Sequence, residues 1–475
     1  MRNSKVVSLE EAIRRSGLKD GQTISFHHHF RGGDKVVNMV VDQLAAMGFK
    51  DLKLAASSLS DVHAPLIEHI KNGVITGIST SGLRGALADA ISHGLMKEPV
   101  IFRSHGGRGS AIASGEQPID VAFLGAPSAD ELGNARGNGA KSICGSLGYA
   151  LPDARYAKHV VVITDDLVPY PNMPSSIKGA DVESVVVAES VGDSSKIAAG
   201  AIRDSKNPRD ILLAKQAAKV IINSGYFQDG FSIQTGTGGA SLAAVKYIRE
   251  EMIERGIKAS FALGGITAHM VKLHQEGLIG TLVDVQSFDK VAAESIAQDP
   301  SHVEVSAVEY ASGMHTGSAT HALDIVILSA LEVDTDFNVN VLVGSDGIIR
   351  GAIGGHQDTA ADSALSIIVC PLLRGRIPCV VPKVTTLITP GKSVDVVVTE
   401  YGIAVNPARP EIKEKLAAAG LKIVDIKDLA AKASSIIGTP DPLPFGKQVV
   451  GIVMNRDGSV LDKIYNVEAT PGEAS

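Results

Sequence analysis

A glycine-rich turn near the carboxyl-terminal end of the chain could hold a reacting carbonyl group. It reads Gly351-Ala-Ile-Gly-Gly-His-Gln-Asp358 and places polar side chains directly after two consecutive glycines. Backbone N–H groups that are not crowded by side chains can approach a ligand closely and stabilise an anionic oxygen. The turn therefore predicts a site for a thioester or a carboxylate, with Gly354 and Gly355 as its catalytic backbone.

Two further segments have the same character. Val396-Val-Val-Thr-Glu-Tyr-Gly-Ile-Ala404 is typical of a buried strand that runs into polar residues, and Thr235-Gly-Thr-Gly-Gly239 lies between a predicted strand and a predicted helix, where an anion is favoured. The loop lacks GxGxxG and GK[ST], so it is neither a dinucleotide fingerprint nor a P-loop, and a steric need for glycine is the alternative. We predict that a thioester is bound by Thr235, Gly236, Thr237, Gly238, Gly239, His356, Gln357, Asp358 and Glu400.

Three arginines are candidates for binding a carboxylate-bearing substrate. Arg31 ends the run Phe26-His-His-His-Phe-Arg31, and Arg103 and Arg108 flank a glycine pair directly after a predicted strand. Ligands bind beyond the carboxyl ends of strands in open α/β sheets, and guanidinium groups fit carboxylates. Ordinary polar loops are the alternative. The three adjacent histidines predict no metal site, because neighbours on a strand point to opposite faces and no cysteine or carboxylate cluster accompanies them.

The composition favours an α/β protein and excludes several classes of function. Of 475 residues 44% are apolar and 4% aromatic, with 49 glycines and no tryptophan. A net charge of −7 argues against nucleic-acid and anionic membrane surfaces. Cys144, Cys370 and Cys379 form no disulfide framework, which fits a reducing compartment. We read no secretory signal and no membrane-spanning run, so the sequence predicts a cytoplasmic protein.

Strand and helix patterns alternate along the chain, which predicts mainly parallel sheets flanked by helices. The stretch from Asp20 to Ala56 resembles that from Asp229 to Leu263: each has a strand, a glycine-rich loop, a helix and a second strand. The first copy has three extra loop residues. This similarity indicates a duplicated domain, although any two β-turn-α units look alike. We predict two similar domains, residues 1–208 and 209–475, joined by the polar stretch 192–208.

The glycine turn and the strand ending in Val398-Thr-Glu-Tyr-Gly-Ile-Ala404 together resemble the carboxyl-terminal signature of CoA transferases and acyl-CoA hydrolases. Over almost its full length, the chain resembles the citrate lyase alpha subunit family. The segments that carry this resemblance are His27–Gly33, Phe102–Arg108, Cys144–Ala150, Thr235–Leu242 and Ser345–Asp358.

The resemblance also directs attention to His269. Many members of the CoA-transferase superfamily have a glutamate at the matching position, and that glutamate attacks the acyl-CoA to form an enzyme thioester. Here the residue is histidine, which fits a ternary complex that reacts through a mixed anhydride. His269 is a candidate catalytic residue, and a buried structural histidine is the alternative.

The resemblance implies an enzyme that transfers a carrier thioester from acetate to citrate. The cofactor would be a CoA-like prosthetic group on a partner acyl carrier protein (the gamma subunit), with none bound by this chain. A beta subunit would then cleave the citryl thioester within an oligomeric complex. Arg31, Arg103 and Arg108 would bind citrate. The alternatives are another CoA transferase, such as a citramalate lyase alpha chain or an acetyl-CoA:carboxylate transferase, and a non-catalytic sensor of acyl-CoA or sugar phosphate.

Overall fold

The structure, a computed structural model, describes residues 4–198, 207–236 and 238–468. In chain order the strands are β1 (Val6–Val7), β2 (Thr23–Phe26), β3 (Leu52–Ala56), β4 (Ile75–Thr80), β5 (Val100–Phe102), β6 (Val121–Ala126), β7 (Ser128–Asp130), β8 (Ala135–Arg136), β9 (His159–Thr164), β10 (Leu167–Val168), β11 (Ser184–Val187), β12 (Ser232–Thr235), β13 (Ala259–Ile266), β14 (Ile279–Ser287), β15 (His302–Glu304), β16 (Ile325–Ser329), β17 (Glu332–Asp334), β18 (Val339–Asn340), β19 (Leu365–Val369), β20 (Leu373–Arg374), β21 (Ile377–Pro378), β22 (Val380–Val381), β23 (Val396–Thr399), β24 (Gly402–Val405), β25 (Phe445–Met454) and β26 (Val460–Val467).

The helices alternate with the strands, as the sequence predicts. They are α1 (Leu9–Ser16), α2 (Val36–Ala46), α3 (Leu66–Lys71), α4 (Gly85–Ser92), α5 (His105–Ser114), α6 (Leu151–Tyr156), α7 (Pro208–Asn223), α8 (Gly239–Arg255), α9 (Ala268–Gln275), α10 (Lys290–Gln298), α11 (Ala307–Ala311), α12 (His356–Asp362), α13 (Pro410–Ala418) and α14 (Ile426–Ile437). Among the described residues, no helix combines the length and the hydropathy needed to cross a bilayer.

Two large sheets organise the chain. The first has the order β1-β11-β9-β6-β2-β3-β4-β5-β25-β26, and the second has the order β15-β14-β13-β12-β16-β19-β23-β24. In each sheet the edge strand, β26 or β24, is antiparallel to its neighbour, and the other pairings are parallel. Buried β-branched runs such as Val160–Ile163 fill the centre of the sheets, as expected for strands covered on both faces. This confirms the predicted α/β fold with mainly parallel sheets.

The order of the strands repeats between the two sheets. The sequence β11-β9-β6-β2-β3-β4-β5 in the first corresponds to β23-β19-β16-β12-β13-β14-β15 in the second, and β2 and β12 begin the two resembling stretches. We call residues up to 208 the first half and residues from 209 the second half. The matching topology supports the duplication that the sequence indicates, because unrelated β-turn-α units would not share a whole strand order.

A buried turn is also repeated in the two halves. The Asp130 carboxylate accepts hydrogen bonds from the Asn134 backbone N–H (3.0 Å) and side-chain amide (2.9 Å). The Asp334 carboxylate accepts the same two bonds from Asn338, at 2.9 and 3.2 Å. Each turn joins two antiparallel strands of a small three-stranded sheet.

The carboxyl-terminal hairpin breaks this symmetry. Its strand β25 pairs in parallel with β5, so the last two strands of the chain extend the first sheet. The core of the first half is also completed by residues from later in the chain, among them Leu342, Ile353 and Val453. The division at residues 208 and 209 stays a prediction, and part of the predicted linker, residues 199–206, lies outside the described residues.

The two halves meet most closely where α5 crosses α11. A Cβ atom on Gly106 would lie 1.9 Å from the carbonyl oxygen of Ala311, and one on Gly109 would lie 3.3 Å from the backbone and side chain of Val308. Gly106 and Gly109 therefore let the two helices approach each other. They belong to a helix, whereas the sequence indicated a ligand-binding or solvated loop.

We predict that Gly106→Ala lowers the free energy of unfolding by about 1–3 kcal/mol, because the two helices must separate to admit the methyl group. Gly109→Ala is the matched control in the same helix. The added methyl group would lie 3.3 Å from Val308, which is tight but is not an overlap. Alanine also favours the helix by up to about 1 kcal/mol relative to glycine. Urea denaturation of both variants tests this, and equal stability of the two would contradict the close crossing.

Candidate active site

A cavity of about 650 Å³ lies between the two halves. Its walls are the loops that follow the carboxyl ends of parallel strands in both sheets, where open α/β sheets bind ligands. The first half contributes residues after β2, β3, β4 and β5, and the second half contributes residues after β12, β13, β14 and β16. Both halves are therefore needed to form the site.

The predicted glycine turn forms one wall of this cavity. Gly354 has a φ of 57°, a conformation that glycine adopts without strain, and Gly355 immediately precedes α12. The carbonyl oxygen of Gly354 accepts a hydrogen bond of 2.8 Å from the N–H of His105, which fixes the turn against α5. A Cβ atom on Gly355 would lie 2.4 Å from the hydroxyl of Tyr310. The turn thus presents backbone at the amino-terminal end of a helix, where N–H groups lack partners within the helix.

Aromatic rings from the first half face the glycine turn. The ring centroids of His28 and His105 are 5.5 Å apart, and the ring of Tyr149 lies 5.0 Å from the first and 4.1 Å from the second. Nδ1 of His28 is hydrogen-bonded to Ser57 Oγ at 2.5 Å. The three rings make a partly polar surface that adjoins the backbone of Gly354 through His105, whose Nε2 would lie 3.7 Å from a Cβ atom on that glycine.

Both histidines are uncharged at neutral pH. Burial lowers the pKa of His28 well below its usual value, and the neighbouring His105 lowers it further. Burial lowers the pKa of His105 to about 3, with a smaller contribution from Arg108. A neutral imidazole offers one N–H donor and one acceptor. The site therefore has ring donors that would not carry a full positive charge.

The cavity is electropositive. Among the described residues that line it, the cationic side chains are Arg31, Arg84, Lys196 and Arg374, and Asp61 carries the single carboxylate. The Arg31 guanidinium lies 4.9 Å above the ring of Phe288. Burial, together with Arg84, lowers the pKa of Arg31 to about 10, so it remains protonated at neutral pH. Such a cavity favours a polyanionic ligand.

Two of the three arginines predicted to bind the substrate lie outside the cavity lining. Arg103 pairs with Glu116 at 2.8 Å. Arg108 is buried and binds both carboxylate oxygens of Asp153, at 2.7 and 2.9 Å. Arg31 lines the cavity, and its Nη1 atom has no hydrogen-bond partner among the described residues.

The residues predicted to bind the thioester are divided between the cavity and the structure behind it. Thr235, Gly236, Gly238 and His356 line the cavity, and Thr237 lies outside the described residues. The other four are not part of the lining: Gly239 begins α8, Gln357 and Asp358 are buried in α12, and the Glu400 carboxylate accepts a hydrogen bond from the N–H of Leu372 (2.8 Å).

His356 and His269 differ in their positions. His356 lines the cavity, with Nδ1 bonded to Thr389 Oγ1 at 2.7 Å and Nε2 to the carbonyl oxygen of Ser329 at 3.1 Å, and burial lowers its pKa to about 4. His269 is the second residue of α9 and does not line the cavity. Its predicted catalytic role stays a prediction.

Sequence reasoning missed several lining residues, and the internal repeat could have identified one of them. Asp153 and Asp358 are each the third residue of corresponding helices, α6 and α12. Counting back from them places Tyr149 at the position of Gly354, so the repeat indicates that Tyr149 faces the same site. The other missed residues lie in or after single strands and belong to no motif: Ser81, Arg84, Lys196, Gln234, Gln286, Tyr310 and Arg374.

The fold and the glycine turn define a CoA-transferase-type protein, and comparison with known proteins identifies its family. The family described as "Citrate lyase, alpha subunit (CitF)" matches residues 3–467. The citrate lyase alpha chain of Escherichia coli (strain K12) is 60% identical over 97% of this chain and 90% of that one, and the Klebsiella pneumoniae chain is 59% identical over 97% and 91%. The chain belongs to the citrate lyase alpha subunit family.

Solved structures agree with this assignment. The alpha subunit of citrate lyase from Streptococcus mutans, solved in complex with citrate, has a TM-score of 0.97 and 55% identity, covering 98% of this chain and 92% of that one. A malonate decarboxylase alpha subunit from Acinetobacter baumannii shares the fold, with a TM-score of 0.67 and 15% identity over 91% and 93% of the two chains. As a member of this family, the protein is a transferase of the CoA-transferase type and one chain of a multi-subunit enzyme.

The buried neutral histidines predict a pH dependence of stability. The folded state keeps His105 uncharged, so the unfolded state binds one more proton between the usual pKa of histidine and about 3. The contribution of neutral His105 to the free energy of unfolding is complete above about pH 6.5 and is lost as the pH falls. We expect His105→Phe to make the decline in unfolding free energy between about pH 6 and pH 4 shallower by about 1.4 kcal/mol per pH unit. Urea titrations test this, with His105→Gln as a second neutral replacement. Slopes equal to that of the native protein would contradict a neutral His105.

Proposed function

We propose that the chain exchanges acetate for citrate on a carrier thioester, converting an acetyl thioester and citrate into a citryl thioester and acetate. The observation that carries the proposal is the electropositive cavity with a glycine turn in its wall, because the reaction needs both a polyanion site and a site for a carbonyl oxygen. The citrate bound to the Streptococcus mutans relative supports the same substrate here.

Arg31 and Arg84 are the groups that we assign to the citrate carboxylates. Both line the cavity, and Arg84 lies close enough to Arg31 to lower the pKa of its guanidinium group. Guanidinium groups bind carboxylates through paired hydrogen bonds. Arg374 and Lys196 at the exposed side of the cavity would add attraction for the remaining negative charge.

The chemistry then requires positioning more than a strong base. A citrate carboxylate attacks the acetyl thioester carbonyl, forming a mixed anhydride and releasing the thiolate. The thiolate next attacks the citryl carbonyl and releases acetate. Carboxylate and thiolate are already nucleophilic, so holding them in line is the main task and can contribute on the order of 7–11 kcal/mol.

Two oxyanions develop along this path. The backbone at Gly354 and Gly355 would stabilise one, and the neutral imidazoles of His28 and His105, which also line the cavity, would donate to the other. One such donor is typically worth about 3 kcal/mol. No protein carboxylate needs to form a covalent intermediate, which fits a histidine at position 269.

We further propose that the acetyl group arrives on a CoA-like prosthetic arm of an acyl carrier subunit, and that a beta subunit cleaves the citryl thioester. The open side of the cavity, where Asp61, Arg84, Lys196 and Arg374 are exposed, is where such an arm would enter. A cytoplasmic location is part of the same proposal.

The purified chain should convert acetyl-CoA and citrate into citryl-CoA and acetate without making oxaloacetate. Mass spectrometry of the CoA products, across a panel of carboxylic acids, measures this exchange. The intact mass of the protein in the same mixtures should show no CoA adduct. Exchange with another acid in preference to citrate, or oxaloacetate from the pure chain, would overturn the proposal.

Gly354→Ala should reduce the exchange rate on the order of a hundredfold, because the added methyl group displaces the thioester from the turn. The Cβ atom would project into the cavity, with His105 Nε2 as its nearest neighbour at 3.7 Å. Gly256→Ala is the matched control, since Gly256 also has a positive φ of 66° and an added Cβ would meet nothing within 4 Å. Both variants carry the same backbone strain, roughly 1–2 kcal/mol. Equal exchange rates in the two variants would show that the turn does not contact the thioester.

A further inference from the structure

The tip of the carboxyl-terminal hairpin reaches the back of the active site from the first sheet. Strands β25 and β26 are joined by a turn in which the Asn455 N–H donates to the carbonyl oxygen of Ser459 (2.7 Å) and the Gly458 N–H donates to that of Asn455 (3.0 Å). Arg456 lies in this turn, and its side chain is only 15% exposed. An arginine in an ordinary hairpin tip would extend into solvent.

Arg456 binds the helix that carries the glycine turn. Its Nη1 and Nη2 atoms contact the two carboxylate oxygens of Asp362 at 2.5 and 2.6 Å, and its Nε atom lies 3.8 Å from Oδ1 of Asp358. The amide of Gln357 also donates to the carbonyl oxygen of Met454 at the end of β25, at 3.3 Å. Three side chains of α12 are thus held by a hairpin that belongs to the other sheet.

Asp358 connects this contact to the cavity. Its carboxylate accepts hydrogen bonds from Ser104 Oγ (2.8 Å) and from the N–H of Gly106 (2.9 Å), which are the cap and the second residue of α5. Between them lies His105, whose ring lines the cavity and whose N–H donates to Gly354. The chain of contacts runs from Arg456 through Asp358 to His105 and Gly354, which are hydrogen-bonded neighbours in the cavity wall.

We propose that Arg456 is a positioning residue for the transfer reaction: it holds Asp358 as a carboxylate, and Asp358 sets the distance between His105 and Gly354. The inference rests on the proposed thioester exchange. It adds to that exchange a role for the carboxyl-terminal hairpin, none of whose described residues lines the cavity.

The ionisation of Asp358 makes this role measurable. Burial is the largest influence on Asp358 and raises its pKa to about 6. Arg456 and the hydrogen bonds from Gly106 and Ser104 lower this pKa, whereas the nearby Asp362 carboxylate raises it. The other titratable groups that face it are His105 on α5, Tyr310 on α11 and Tyr149, all neutral near pH 6. The carboxylate form is present above its pKa and is lost as the pH falls, so activity should decline below about pH 6.

Arg456→Met removes the charge and keeps most of the side-chain length. We expect kcat for citrate exchange to fall about tenfold to a hundredfold, with little change in KM for acetyl-CoA or citrate. The acid limb of the pH–kcat profile should move upward by about 1–3 units, because an opposite charge within 4–6 Å lowers a carboxyl pKa by that amount. The ionisation of citrate is the same for both proteins and cancels in the comparison.

Arg249→Met is the matched control. Arg249 also binds a carboxylate through two nitrogens, Glu276 at 2.6 and 3.1 Å, and this pair lies on the exposed surface away from the cavity. Its loss should leave kcat and the pH profile unchanged. Arg456→Lys retains the charge, so it should restore the position of the acid limb and only part of kcat. If Arg456→Met does not fold, Arg456→Lys and Asp362→Asn provide the same comparison.

A contact that only anchors the hairpin would lower stability without moving the pH profile, and that result would overturn the inference. Hydrogen exchange of the peptide covering residues 353–362 gives a second readout without turnover. Faster exchange there in Arg456→Met than in Arg249→Met supports the inference, and equal rates contradict it. If the native protein exchanges no thioester, the proposed function fails, while the exchange rates of this peptide still decide the role of Arg456.

Discussion

The close crossing of α5 and α11 is the contact on which the active site depends. It is possible only because Gly106 has no side chain beside the carbonyl of Ala311. The first residue of each helix then donates its N–H to a loop in the opposite half: His105 to Gly354 at 2.8 Å, and Ala307 to Gly148 at 2.9 Å. This reciprocal pairing brings the loops before α6 and α12 to one cavity, so each half completes a site that it could not form alone.

The two halves are similar in fold but have different chemical roles. Where the second half has the bare backbone of Gly354, the first half has the ring of Tyr149. Where the second half has only three residues between β12 and α8, the first half has a longer segment between β2 and α2, which carries His28 and Arg31. In the proposed reaction, one half would supply backbone for a carbonyl oxygen, and the other would supply rings and charge for a carboxylate substrate. A duplicated fold with unequal loops suits a reaction that must hold two different molecules face to face.

The sequence predicted the fold, the glycine turn and the internal repeat because those features depend on local patterns. It could not show that Arg108 is neutralised by Asp153, 45 residues away, or that Arg103 is paired with Glu116. The sequence around an arginine beside glycines does not show whether its guanidinium group is available for a ligand or is already paired with a carboxylate of the protein. Glu400 shows the same limit, since its carboxylate holds the backbone of Leu372. Motifs therefore located the right segments, and only the packing separated the side chains that face the cavity from those behind it.

The charge distribution of the cavity also explains why neutral histidines suit this site. Arginine groups attract a polyanionic substrate, and burial with neighbouring positive charge lowers the pKa of His28 and His105. A protonated imidazole could transfer a proton to the departing thiolate, which must stay deprotonated to attack the second carbonyl. A neutral imidazole can donate a hydrogen bond to an oxyanion without that transfer. In the proposed exchange, the positive charge that would attract citrate would therefore also keep the neighbouring imidazoles neutral, so that they would not protonate the thiolate before it attacks the citryl carbonyl.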